Sequence, residues 1–199
     1  MKGANRLYLV RHGQVLGYET FPIYGHTDVD LTEVGIIQME HLAERLRLAE
    51  IHEVYSSDLK RCMRGARIIA RSHDVPIHPK PDLRELHFGA WEGLTLAEIR
   101  ERYPDELEMR ERDLLGFAPT DGESIASLAA RVMGCFESIM RLFDAKNILL
   151  AGHGVVNRVI LCDALGLDYR RMFSIQQDYG CLNIIDYYPD RKLVRLVNG

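Results

Sequence analysis

Two short strand-like runs, Leu7–Val10 and Asn147–Ala151, each break directly into a histidine. The first leads into Arg11-His12-Gly13 and the second into Gly152-His153-Gly154. Apolar runs this short read as strands buried on both faces, each ending at a loop. Helical periodicity fills the chain between them. Thr32 is placed to cap a helix running to about Leu48, with Ile36, Met39, Leu42, Ala43 and Leu46 on one stripe. Val54-Tyr55 reads as a second strand, closed by Ser56-Ser57-Asp58. Ser57 or Asp58 is expected to cap the following helix, where Leu59, Cys62, Met63, Ala66, Ile69 and Ala70 recur at helical spacing.

Val75–His78 reads as a third strand. A turn over Phe88–Gly93 precedes a helix near Leu96–Tyr103, and the charged stretch Glu106–Pro119 is expected to be a lid or surface loop. Asp121–Phe143 reads as a long amphipathic helix opened by Asp-Gly-Glu-Ser, and a further helix follows Gly154 to Leu165. Cys181–Tyr188 and Lys192–Val197, parted by Pro189-Asp190, predict a hairpin. Strands alternating with helices imply an α/β fold: a three-layer α/β/α sandwich with a mainly parallel sheet and an antiparallel C-terminal edge. The absence of repeats and linkers over 199 residues predicts one domain, 1–199.

A formal charge of −4 argues against a nucleic-acid surface. The segment MKGANRLYLVRHG has only four consecutive apolar residues before Arg11, fewer than a signal peptide requires, and no run approaches the ~20 of a membrane span. Cys62, Cys135, Cys162 and Cys181 are widely spaced among apolar neighbours, as small buried hydrophobes in a reducing compartment would be. A cytoplasmic protein without a membrane partner is expected; whether it is a homodimer is left open.

Ligands of such a sheet bind beyond the carboxyl ends of its strands. Arg11, His12 and Gly13 arrive there from the first strand, Ser56 to Arg61 from the second, and Gly152, His153 and Gly154 from the central one. Two histidines and two arginines make a cationic pocket suited to phosphate, because the guanidinium fork matches phosphate oxygens. Gly13 and Gly154 would allow the backbone close approach, and the helix N-termini add donors. A neutral imidazole can attack phosphorus if its other nitrogen is held by an acceptor such as a backbone carbonyl. An alkoxide leaving group needs a proton, and Glu85 is the candidate acid. Each residue alone has a plainer reading: a satisfied polar histidine, a solvated Arg61, a surface Glu85. Spacing does not decide between the two.

The ordered set LYLVRHG, GHTDVDLTEVG, SSDLKRCMRGA, LRELHFGAWEGLT, DGES and LLAGHGVVNR, spanning residue 7 to about 160, resembles the histidine phosphatase superfamily, also called phosphoglycerate mutase-like. The resemblance implies a phosphomonoester hydrolase working through phosphohistidine, without metal or other cofactor, on a small-molecule substrate. By position, His12 would be the nucleophile, Arg11 and Arg61 the phosphate arginines, Glu85 the general acid and His153 the second pocket histidine. Two departures stand out: Gln14 where the family usually has Glu, and Gly17 where it has a phosphate-binding Asn. Gln14, Thr27 or the backbone N–H of Gly25 would then substitute, with Tyr24 beside them, or phosphate would be held less tightly. His26 also stands where the family often has Trp. YGHTDVDLT, WEGLT and QDYGCLN look most like the α-ribazole phosphatase branch. The competing readings are a cofactor-dependent phosphoglycerate mutase and a non-catalytic phospho-ligand binder. A metallohydrolase is disfavoured, since the eight histidines form no HExxH or other helical ligand pair.

Overall fold

The alternation along the first strand determines which layer each side chain joins. In the computed structural model, which describes residues 4–20, 22–143 and 146–199, β1 (Asn5–Arg11) pairs in parallel with β4 (Asn147–Gly152). Leu7, Leu9, Ile148 and Leu150 face one apolar layer, while Tyr8, Val10, Leu149 and Ala151 face the other. Period-2 alternation within apolar strands thus supplies two cores, one on each face of the sheet.

The six-stranded sheet has the order β3-β2-β4-β1-β5-β6, built from β2 (Glu53–Ser56), β3 (Ile77–Pro79), β5 (Leu182–Tyr187) and β6 (Lys192–Leu196) beside the central pair. The pairs among β1 to β4 are parallel, and β5 and β6 join antiparallel, as expected. One face carries α1 (Glu33–Leu46) and α2 (Lys60–Ala70); the other carries α5 (Ile125–Arg141) and α6 (Gly154–Leu165). Thr32 caps α1 by accepting from the Gly35 N–H, and Ser124 caps α5 by accepting from Ser127. Among the described residues no helix is long and apolar enough to cross a membrane.

Several expectations are corrected. Neither Ser57 nor Asp58 caps α2: Leu59 occupies the cap position without a side-chain bond, and Asp28 accepts from the Lys60 N–H at 2.7 Å instead. Asp58 is turned to Arg84. The third strand begins at Ile77 rather than Val75, and α5 begins at Ile125 rather than Asp121. Cys135 is half-buried, unlike the other three cysteines. The stretch Glu106–Pro119 is helical only in its first half: Glu106–Arg112 belongs to α4 (Pro104–Arg112), and Asp113–Pro119 is the non-helical connection expected. The proline at the first turn of α4, its leading acids and its trailing arginines suit a helix and its dipole. With α3 (Leu96–Arg102), this helix surrounds a small third core of Trp91, Ile99 and Phe117. The Trp91 indole N–H donates to Glu106 at 2.9 Å, fixing α4 against the turn that precedes it.

Candidate active site

Register brings the two histidines together. Arg11 lies opposite Gly152 in the parallel β1–β4 ladder, so the next residues, His12 and His153, leave adjacent strand ends side by side. Their ring centroids are 5.2 Å apart at 66°. His12 is almost fully buried, and its Nδ1 lies 2.8 Å from the Gly13 carbonyl oxygen. A carbonyl can only accept, so Nδ1 carries the proton and Nε2 keeps the lone pair. Burial, then the charges of Arg61 and Arg11, hold the imidazole well below the ordinary histidine value, which keeps it neutral.

His153 is completely buried beneath this ring. Arg61 Nε donates to its Nδ1 at 3.3 Å, which places the His153 proton on Nε2, 2.8 Å from Ser57 Oγ. Burial and Arg61 also hold it neutral. The remaining Arg61 nitrogens donate to the Thr27 and Gly25 carbonyls at 2.8 and 2.6 Å. Arg11 is held differently. Its Nη1 donates to the Gln177 carbonyl at 2.6 Å, its guanidinium carbon lies 4.2 Å above the Tyr179 ring, and its Nε has no partner among the described residues.

These groups surround a pocket of about 250 Å³. Arg11, His12, Arg61, Glu85 and Arg158 supply its charged and polar wall, and Val15, Pro22, Ile23, Tyr24, Phe88 and Tyr179 its apolar rim. The Glu85 carboxylate accepts from the Val155 N–H at 3.1 and 3.3 Å, at the start of α6, and from Leu86 at 3.0 Å. A nucleophilic nitrogen, three guanidinium groups and one carboxyl group in a single cleft are the equipment of phosphoryl transfer. Residues 7–199 match the profile of the histidine phosphatase superfamily, branch 1. The chain belongs to that superfamily.

As a histidine phosphatase it is 28% identical to the adenosylcobalamin/alpha-ribazole phosphatase of Salmonella typhimurium, over 98% of this chain and 96% of that one. It is 31% identical to a Yersinia pestis protein named "Probable phosphoglycerate mutase GpmB", over 92% and 85%. The crystal structure of the alpha-ribazole phosphatase from Shigella flexneri superposes with a TM-score of 0.90 at 26% identity, covering 98% of this chain and 96% of the other.

Within this histidine phosphatase, not every expected residue reaches the pocket. Tyr24, Gly25 and Gly154 line it; Gly13, Gln14, Thr27 and His153 do not. Gln14 is turned to Thr32, whose hydroxyl donates to its side-chain oxygen at 2.8 Å. The Thr27 hydroxyl donates to Glu92. Gly13 is required by packing: a Cβ there would lie 2.2 Å from the Gly35 carbonyl oxygen of α1. Gly25 adopts φ +46° and offers its carbonyl to Arg61. Arg158, Tyr179 and Glu92 were not anticipated. Glu92 accepts from the N–H groups of His26, Thr27 and Phe88, tying the Tyr24–Thr27 loop to the WEGLT turn. Arg158 was visible only as the last letter of the GHGVVNR run, one helical turn beyond Gly154.

Proposed function

We propose that the chain hydrolyses phosphate monoesters by two displacements at His12, the role for which its neutral, carbonyl-held imidazole is the carrying observation. The phosphate dianion enters among Arg11, Arg61 and Arg158. His12 Nε2 attacks phosphorus as the ester P–O bond breaks, and protonated Glu85 delivers its proton to the departing oxygen. Water then attacks the phosphohistidine, Glu85 takes the water proton, and the P–N electron pair returns to Nε2. Throughout, the proton stays on Nδ1, donated to the Gly13 carbonyl. His153 acts from below, holding Arg61 in place. No step requires a metal.

With Glu85 protonated, as the acid step requires, three guanidinium groups set a formal +3 in the pocket wall, which one phosphate dianion largely neutralises and two would exceed. The rim beyond it is apolar and aromatic. Both features support a monophosphate whose remainder is uncharged and ring-bearing. Together with the names of the Salmonella and Shigella relatives, they favour α-ribazole phosphate and, by that route, cobalamin synthesis. A cytoplasmic setting is supported by four unbridged cysteines. The test is phosphate release across a panel of α-ribazole phosphate, sugar phosphates and phosphoglycerates. The nucleoside-like ester should give the highest kcat/KM, and a preference for bisphosphates would contradict the charge argument.

The Yersinia relative's name supplies the second reading, a mutase. A mutase must hold a second phosphate and exclude water until transfer is complete. Beyond the three arginines the pocket wall has no further cation among the described residues, and α4 carries Glu106, Glu108 and Glu111 against Arg110 and Arg112. Supplying phosphoglycerate with its bisphosphate and following phosphorus NMR should show inorganic phosphate, whereas rapid isomer interconversion would establish the mutase.

A further inference from the structure

Arg131 lies outside the pocket wall, on the inner side of α5, yet it is the most fully bonded arginine near the site. Its five N–H donors all find acceptors. Nε donates to Glu123 Oε2 at 2.9 Å and one Nη2 proton goes to Glu123 Oε1. Nη1 donates to the carbonyls of Asp82 and Arg84, each at 2.8 Å, and the second Nη2 proton goes to the Glu85 carbonyl at 2.9 Å. Glu123 completes the grip. Its Oε1 accepts from the His87 N–H at 2.9 Å, while its own N–H donates to the His87 carbonyl at 2.8 Å.

This ion pair differs from those on the helix surfaces. The side chains of Arg131 and Glu123 are 22% and 18% exposed, against 76% and 56% for Arg141 and Glu137. A pair withdrawn from water to this degree is favourable only when further hydrogen bonds satisfy it, and here every one of those bonds goes to residues 82–87. That segment has no ladder of its own beyond a short turn at Pro81–Leu83. The Glu85 carboxylate, for its part, is hydrogen-bonded among the described residues only to the N–H groups of Leu86 and Val155. Its place over the pocket is therefore inherited from the backbone that Arg131 and Glu123 hold. On the outer flank, Arg84 pairs with Asp58 at the end of β2 and anchors the same segment to the loop beneath the pocket.

We propose that Arg131 and Glu123 are positioning residues for Glu85, acting on protonation of the leaving group and not on phosphate binding. The proposal rests on the phosphatase reading, with Glu85 as its acid. A clamp of this kind acts through geometry: displacing a catalytic group by about 1 Å costs on the order of 100-fold in rate.

The test compares an alkyl phosphate, whose alkoxide needs a proton, with 4-nitrophenyl phosphate, whose phenolate barely does. Wild type, Glu85→Gln, Arg131→Lys, Glu123→Gln and the double variant Glu85→Gln/Arg131→Lys are measured on both, with vanadate inhibition reporting the phosphate pocket. Arg131→Lys should lose on the order of 10- to 100-fold in kcat/KM, which reports formation of the phosphoenzyme alone, on the alkyl phosphate and about 3-fold or less on the nitrophenyl ester. Vanadate inhibition should hold, and by the same measure the double variant should be no slower than Glu85→Gln alone. Glu123→Gln keeps the guanidinium and its carbonyl bonds. It should show the same substrate-selective loss, smaller in size, and it carries the test if Arg131→Lys does not fold. Equal losses on both substrates, or losses that add to Glu85→Gln, would overturn the clamp. If Glu85→Gln itself fails to discriminate between the substrates, the assignment of the acid falls first, so the two failures are distinguishable.

Discussion

Arg61 Nε lies 3.3 Å from Nδ1 of His153, and the two other nitrogens of that guanidinium are bonded to the carbonyls of Thr27 and Gly25. One planar fork thus sets the tautomer of a buried histidine and the position of the loop at the pocket mouth. A lysine has a single nitrogen and cannot reach all three acceptors. Arg61→Lys, despite keeping the charge, should lose on the order of 100-fold in kcat/KM, about the cost of misplacing groups by 1 Å. Steady-state kinetics on nitrophenyl phosphate measure this, and a loss below about 3-fold would show that charge alone suffices.

The contact between Gly13 and Gly35 gives a stability prediction with an internal control. A Cβ on Gly13 would meet backbone at 2.2 Å, so α1 must shift, and Gly13→Ala should destabilise by about 3 kcal/mol, the upper part of the overpacking range. Gly134, inside α5, has nothing within 4 Å of its Cβ position. Gly134→Ala should stabilise by about 0.5–1 kcal/mol through helix propensity. Urea denaturation of both variants reads these signs directly; a neutral Gly13→Ala would refute the packing role.

The two buried histidines at the site, His12 and His153, tie stability to pH. Burial first, then Arg61, holds His12 and His153 below the ordinary value of 6.5. Below pH 6.5 the unfolded chain takes up two protons that the folded chain refuses. Their contribution is therefore complete above pH 6.5 and is lost as pH falls toward the depressed folded values. The slope approaches about 2.7 kcal/mol per pH unit for the two together. Burial holds His26 and His73 low as well, so denaturation between pH 7.5 and 5.0 should show stability falling with pH in wild type, and a slope shallower by up to about 1.4 kcal/mol per pH unit in His153→Asn, which cannot titrate. An unchanged slope in the variant would mean that His153 is protonated in the fold.

The strands were legible because β1 and β4 are buried on both faces and carry little besides apolar residues. His12, Arg11, Arg61 and Glu85 were legible because they sit in or beside the motifs that meet at those strand ends. What escaped was set by partners distant in the chain. The α2 cap comes from Asp28, thirty-two residues before Lys60, so no local pattern could reveal it. Gly13 resembled a phosphate-loop glycine because nothing in the sequence places it against Gly35. Gln14 and Thr27 carry suitable groups, but Thr32 and Glu92 engage them first. The helix α4 was obscured by its charge density, although Pro104 followed by acids and then arginines is a helix-start pattern in itself. Tyr179 reaches the pocket only because the turn before β5 folds back over Arg11.

The central claim is that His12 carries the phosphoryl group, and trapping that intermediate tests it most directly. Wild-type enzyme mixed with substrate and quenched within milliseconds should yield a phosphoenzyme that is labile in acid and stable in base, with the phosphate mapped by mass spectrometry to His12. His12→Ala should fold, form no such species and release no phosphate above background. Full turnover in His12→Ala, or a phosphoryl group trapped on any other residue, would contradict the account.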